Sequence, residues 1–154
     1  MIQIDIGNTA SSYTNYAYLD LYDKMTNADY KVLWTITSQL TGNSKTFVTT
    51  TDYTYKERYM KMTITSLRTA ASENFLTGTL NLGNTDFPLG FYDVTIYQNT
   101  SDTNLDPDGL TQIYSTLMNL KINSSANTSV VDYKEYTDND TEINNVYLTS
   151  TPHL

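Results

Sequence analysis

The chain has 154 residues, enough for one domain with a sizeable core and too few for two. Lys and Arg total 9 against 17 Asp and Glu, a net charge of −8 with no basic patch, which argues against nucleic acid, since that affinity comes mainly from neutralising phosphates. Cysteine is absent, so disulfides and thiolate chemistry are excluded, and no apolar run approaches the ~20 residues of a membrane-spanning helix.

The N-terminal "MIQIDIGNTA" has neither a basic segment nor a long apolar one, so the expectation is a protein made in a cytoplasm without a secretory leader. Its Ile-x-Ile-x-Ile pattern predicts a first strand over 2–6. A second is predicted over 15–22, where "NYAYLDLY" alternates tyrosine with small apolar residues. A third falls over 30–38, with Tyr30, Val32, Trp34 and Ile36 on one face and Lys31, Thr35 and Thr37 on the other. Further strands are expected over 45–51, over 59–65 (Met60, Met62 and Ile64 inward), over 77–82 (Leu80 and Leu82 inward) and over 90–98 (Tyr92, Val94 and Ile96 inward). Each run is bounded by Asn, Asp or Gly clusters, as strands are. "SLRTAASENF" reads as a loop.

One segment is ambiguous. In "DGLTQIYSTLMNLK", Leu110, Ile113, Tyr114, Leu117 and Met118 stand at helical spacing, while Met118, Leu120 and Ile122 alternate. The alternation favours a strand over 114–122, with a short helix over 108–117 as the rival. From Asn123 onward the chain turns polar, with only short apolar groups. The organisation expected is all-β: a single immunoglobulin-like β-sandwich over 1–122, then a polar C-terminal extension over 123–154 that contacts its own domain or a neighbouring subunit.

Several features invite a functional reading. In "GFYDV", Gly90, Tyr92 and Val94 have the spacing of an immunoglobulin-type tyrosine corner, in which the phenol bonds back to upstream backbone. Trp34, on the third strand, supports the same architecture, and with Ile36, Met62, Ile64, Leu80, Leu82 and Ile96 it forms the expected core. The segment "NLDPDGL" resembles the first half of a calcium loop through Asn104, Asp106, Asp108 and Gly109. The position that should carry a bidentate Glu is Ser115, and Pro107 interrupts the ligands, so a bend between strands F and G is preferred. His153, the one histidine, stands next to the terminus, and Asp138, Asp140 and Glu142 alternate in a polar stretch; both read as solvated. Of four Asn-x-Ser/Thr sequons, at Asn99, Asn123, Asn127 and Asn139, none is expected to carry glycan without a leader. No catalytic set, cofactor site or metal site is expected. A surface rich in Tyr, Asn and Thr suits sugars and protein partners equally well.

The pieces "KVLWTITSQLTGNSKTFVTT", "KERYMKMTI", "GTLNLGNTDFPLGFYDVTIYQNTSDTNLDP" and "YLTSTP", taken in order, resemble a family of short virion-associated β proteins of tailed marine and crAss-like bacteriophages. Phe47, Arg58-Tyr59, Gly90 to Gln98 and Asn104 to Pro107 stand at the places of that family's motifs, across roughly residues 30–148. Gln98 departs from the family's usual Glu, and the segment after Asp106 is longer. The resemblance implies a non-enzymatic structural protein on the capsid surface, either an auxiliary or decoration subunit or a base for head fibres. It also implies multiple copies or a homo-oligomer, and contact with the major capsid protein or other virion proteins. Nucleic acid and membrane are not expected as partners. Val131, Tyr133, Tyr136, Val146 and Tyr147 are the candidate subunit contacts, a tail strand being added to a neighbour's sheet edge. The alternative is a carbohydrate-binding or adhesive module recognising host-surface glycans.

Overall fold

Strict alternation of apolar and polar residues makes each strand two-faced, and two such sheets can bury their apolar faces only against each other. The computed structural model describes residues 1–7, 12–26, 31–68 and 73–123 and has this form. Its strands are β1 (Ile2–Ile6), β2 (Ser12–Leu19), β3 (Val32–Ser38), β4 (Ser44–Phe47), β5 (Thr50–Asp52), β6 (Met60–Leu67), β7 (Thr79–Asn81), β8 (Gly90–Gln98) and β9 (Thr111–Ile122). One sheet runs β1-β9-β8-β3-β4; the other runs β2-β6-β5, with β7 also on β6. β1 lies parallel to the end of β9, from Ile2 opposite Met118 to Ile6 opposite Ile122. The protein is an all-β sandwich.

The core lies between the sheets. Trp34, Ile36, Tyr92, Val94, Ile96, Met118 and Leu120 face Met60, Met62, Ile64 and Leu80 from the opposite sheet, with Leu82 beside them, all essentially inaccessible to solvent. Trp34 stacks on Phe47 with ring centroids 5.9 Å apart. Each such side chain contributes roughly 1.5–3 kcal/mol by leaving water.

Several boundaries differ from the alternation pattern, each for a physical reason. The second strand spans 12–19 rather than 15–22, because the chain bends at Leu21 into a short 3-10 turn (Tyr22–Lys24). Leu21 is still fully buried, so the apolar period outlasts the strand. The run predicted over 45–51 is two strands in different sheets. β4 pairs with β3, the chain crosses at Val48–Thr49, and β5 pairs with β6. Val48 donates its N–H to Phe75 O (2.9 Å) at the crossing, and no Gly or Pro marks it in the sequence. Leu33 is as buried as Trp34, so β3 is covered on both faces. Tyr30 lies outside the described residues.

The ambiguous segment is a strand throughout, starting at Thr111 rather than 114. Ile96 pairs with Tyr114 and Tyr97 with Gln112, so Ile113 is an extra residue in a β-bulge. The bulge turns the adjacent Ile113 and Tyr114 both toward the core. Two neighbouring apolar residues are what gave this stretch its helical spacing.

Candidate functional site

Tyr92 sits near the start of β8, and its Oη donates to the carbonyl of Pro88, four residues upstream, at 2.6 Å. The side chain is wholly buried, and burial pushes its pKa up to about 12 against the opposing effect of a hydrogen bond with Ser38. Gly90 opens β8 opposite Leu120, and Val94 faces the core opposite Ile36. Ser38, the partner of Tyr92 across β3 and β8, also receives the N–H groups of Leu40 and Thr41 through its hydroxyl. The tyrosine corner and the β3–β4 turn therefore share one polar cluster inside the sandwich end.

The loop after β8 is held by its own side chains. Asn99, fully buried, donates through Nδ2 to Asn104 O (3.0 Å), and Asn104 Nδ2 donates back to Asn99 Oδ1 (3.0 Å). Asn104 Oδ1 accepts the Asp106 N–H (3.0 Å), and Asp106 Oδ1 accepts the Asp108 N–H (3.0 Å). These oxygens, the first ligands of a calcium reading, are thus engaged by main-chain donors. Leu110 N–H closes the turn on Pro107 O at 3.1 Å, with Gly109 at φ +78°, the left-handed region that favours glycine. "NLDPDGL" is a self-capped bend. Among the described residues no three His, Cys, Asp or Glu side chains group together as metal ligands.

Burial also explains two of the sequons. Asn99 and Asn123 are enclosed and hydrogen-bonded, with Asn123 N–H on Ile6 O (2.8 Å) and its Nδ2 on the Tyr13 hydroxyl. They are structural amides.

A feature the alternation pattern does not reveal joins the two sheets. Asn15 on β2 accepts the Asp5 N–H at Oδ1 (2.8 Å) and donates from Nδ2 to Asp5 O (2.9 Å). Ser66 adds a hydroxyl hydrogen bond to the same Asp5 O (2.8 Å). A side-chain amide here imitates a strand partner and caps the outer edge of β1. Of the other edges, β4 has 4 residues and β5 and β7 have 3 each, while β2, the margin of its sheet, has 8. Short strands are poor templates for pairing.

β9 is different. β1 covers it only from Met118 to Ile122, and among the described residues nothing pairs with its outer edge from Thr111 to Leu117. "TQIYSTL" has no charge and no proline, which leaves the bulge at Ile113 as its guard against edge pairing. An open hollow of about 560 Å³ lies beside it, lined among others by Met1, Asp93, Gln112 and Leu117. Met1 and Leu117 are both exposed.

Outside this edge, aromatic side chains gather on the other sheet. Tyr16 and Tyr18 stand out from β2, each about half exposed. Tyr18 meets the edge of Tyr59 at 5.6 Å, Tyr59 meets Tyr55 at 5.9 Å, and the Lys61 ammonium lies 4.1 Å from the centre of the Tyr16 ring. Val131, Tyr133, Tyr136, Val146, Tyr147, the acidic run at 138–142 and His153 lie outside the described residues, as does the extension from 124 onward. Comparison with protein-family models, with curated proteins and with solved structures gives no match.

Proposed function

We propose that this protein is a non-enzymatic virion structural subunit, a capsid-surface decoration or fibre-base protein built on an immunoglobulin-type sandwich. The observation that carries an assembly role is the uncovered edge of β9. An uncharged edge of this length, interrupted only by the bulge at Ile113, invites pairing unless a defined partner covers it. Thr111–Leu117 therefore serves as an acceptor for an added strand, with main-chain hydrogen bonds giving affinity and alternate side chains giving register. The donor assigned to it is "VVDYKEY" (residues 130–136) of a neighbouring copy, with Val131 and Tyr133 on one face as anchors. Assignment to a virion rests on the motif resemblance around residues 90–107.

The immunoglobulin reading is supported by strand order. β2-β6-β5 corresponds to strands B-E-D, β3-β8-β9 to C-F-G, and β4 to the added C′ strand. The buried Trp34 on the C-type strand and the Tyr92 corner on the F-type strand stand where that architecture places them. Val94 takes the place of the cysteine, so packing alone closes the sandwich there.

Removing residues 124–154 should abolish attachment to capsids while the sandwich keeps its folded near-ultraviolet circular dichroism. Leu117→Lys, at the exposed rim of the β9 edge, should weaken attachment in the full-length chain. Undiminished attachment of both variants would sink the reading.

A further inference from the structure

We propose that the groove between β1 and β2 is a binding site for neutral hexopyranose sugars, a function independent of the strand-addition reading. The two strands belong to different sheets, and among the described residues no backbone hydrogen bond joins them. The Asn15 clamp on Asp5 ties them at one end. Toward the other end a groove of about 390 Å³ remains, lined by Tyr16, Tyr18, Tyr114 and Gln3, with Met1, Ile2 and Leu19 beside them. That volume lies at the lower end of the ~300–1,000 Å³ typical of small-ligand sites.

The chemistry of the walls selects the ligand. A pyranose presents a face of C–H groups that stacks on the electron-rich face of a phenol ring, and an equatorial belt of hydroxyls that needs donors and acceptors. The groove supplies both: phenol rings, their hydroxyls and a carboxamide. No charged side chain lines it, although the chain carries 17 acidic residues, so nothing there calls for a charged ligand.

The rings are also held in advance. The Lys61 ammonium sits against the Tyr16 ring, the Tyr18 and Tyr59 rings meet edge to face, and Tyr55 backs Tyr59. Side chains fixed before binding lose little rotamer freedom when the ligand arrives. Tyr16 and Tyr18 project from the outer face, so they contribute little to the core, and replacing them leaves the fold standing.

The test is nuclear magnetic resonance titration of the full-length chain with lactose, cellobiose and maltose, alongside an array of neutral oligosaccharides. Expected are shifts confined to residues 1–3, 16–19 and 114 with at least one of these sugars. Tyr18→Thr, which keeps strand propensity, should weaken that binding about tenfold, the scale of one lost ring contact. Leu40→Thr, exposed on the β3–β4 turn, should leave it unchanged. Absence of shifts with every sugar, shifts centred elsewhere, or equal affinity in Tyr18→Thr each overturns the proposal. So does an extended peptide that shifts these residues while the sugars do not. The measurement involves no capsid, so its failure is separable from failure of the assembly reading.

Discussion

Asn99 and Asn104 hold each other by two hydrogen bonds in opposite directions, Nδ2 to carbonyl and Nδ2 to Oδ1, both 3.0 Å. This amide pair anchors the bend between β8 and β9 to a fully buried residue at the end of β8. Asn99→Ala removes both bonds of the pair, leaves Asn104 Nδ2 with Asp106 O alone (3.2 Å), and empties a closed site. It should destabilise the protein by roughly 1–3 kcal/mol, the cost of an unpaired buried polar group, as measured by urea unfolding.

At the other end of the same bend, Gly109 at φ +78° has open space around its missing side chain. Gly109→Ala should cost only about 1 kcal/mol, from backbone strain alone. Gly109→Asn, which tolerates this conformation, should cost less. Because Asn104 Oδ1 and Asp106 Oδ1 each accept a main-chain N–H, and no three acidic or His side chains group among the described residues, added calcium should leave the melting temperature unchanged in a thermal scan.

Tyr92 links the turn before β8 to the core. Tyr92→Phe keeps the ring and deletes the bond to Pro88, and should cost about 1–2 kcal/mol. Its raised pKa favours the neutral phenol in the folded state. The corresponding stability is fully present below the ordinary tyrosine value near 10 and is lost as pH rises toward about 12. Melting temperature should fall across that interval, and fall less steeply in Tyr92→Phe.

Lys45 and Glu73 form a largely enclosed ion pair, Nζ to Oε2 at 2.6 Å, with the ammonium also 4.3 Å from the centre of the Phe87 ring. Glu73 Oε2 further accepts the Asn81 N–H at 3.1 Å. Removing the acid strands a cation among aromatic rings, so Glu73→Ala should cost about 3 kcal/mol or more. Lys45→Met, which fills the same space without charge, should cost distinctly less. Chemical denaturation of the two variants side by side would settle the order; equal costs would contradict this account.

How much of this was legible depends on how local each cause is. β1 and β8 stand where Ile-x-Ile-x-Ile and Tyr-x-Val-x-Ile place them, because period two is a property of neighbouring residues. The bond from Tyr92 reaches back four positions to Pro88, so its spacing can be read directly. The crossing at Val48–Thr49 is hidden, since one β-branched run serves two sheets. The bulge at Ile113 is hidden because an extra residue in one strand has meaning only against its partner. The Asn15 clamp joins strands of different sheets through a side chain, and no periodicity announces it. The exposure of Thr111–Leu117 likewise shows only in the register of β1 against β9, Ile2 opposite Met118 to Ile6 opposite Ile122.

Electron cryomicroscopy of the assembled particle tests the central claim most directly. The account predicts the sandwich on the outer capsid surface, with a strand from a neighbouring copy hydrogen-bonded along Thr111–Leu117. Absence of the protein from the particle, or its presence there with that edge of β9 facing solvent, would contradict it.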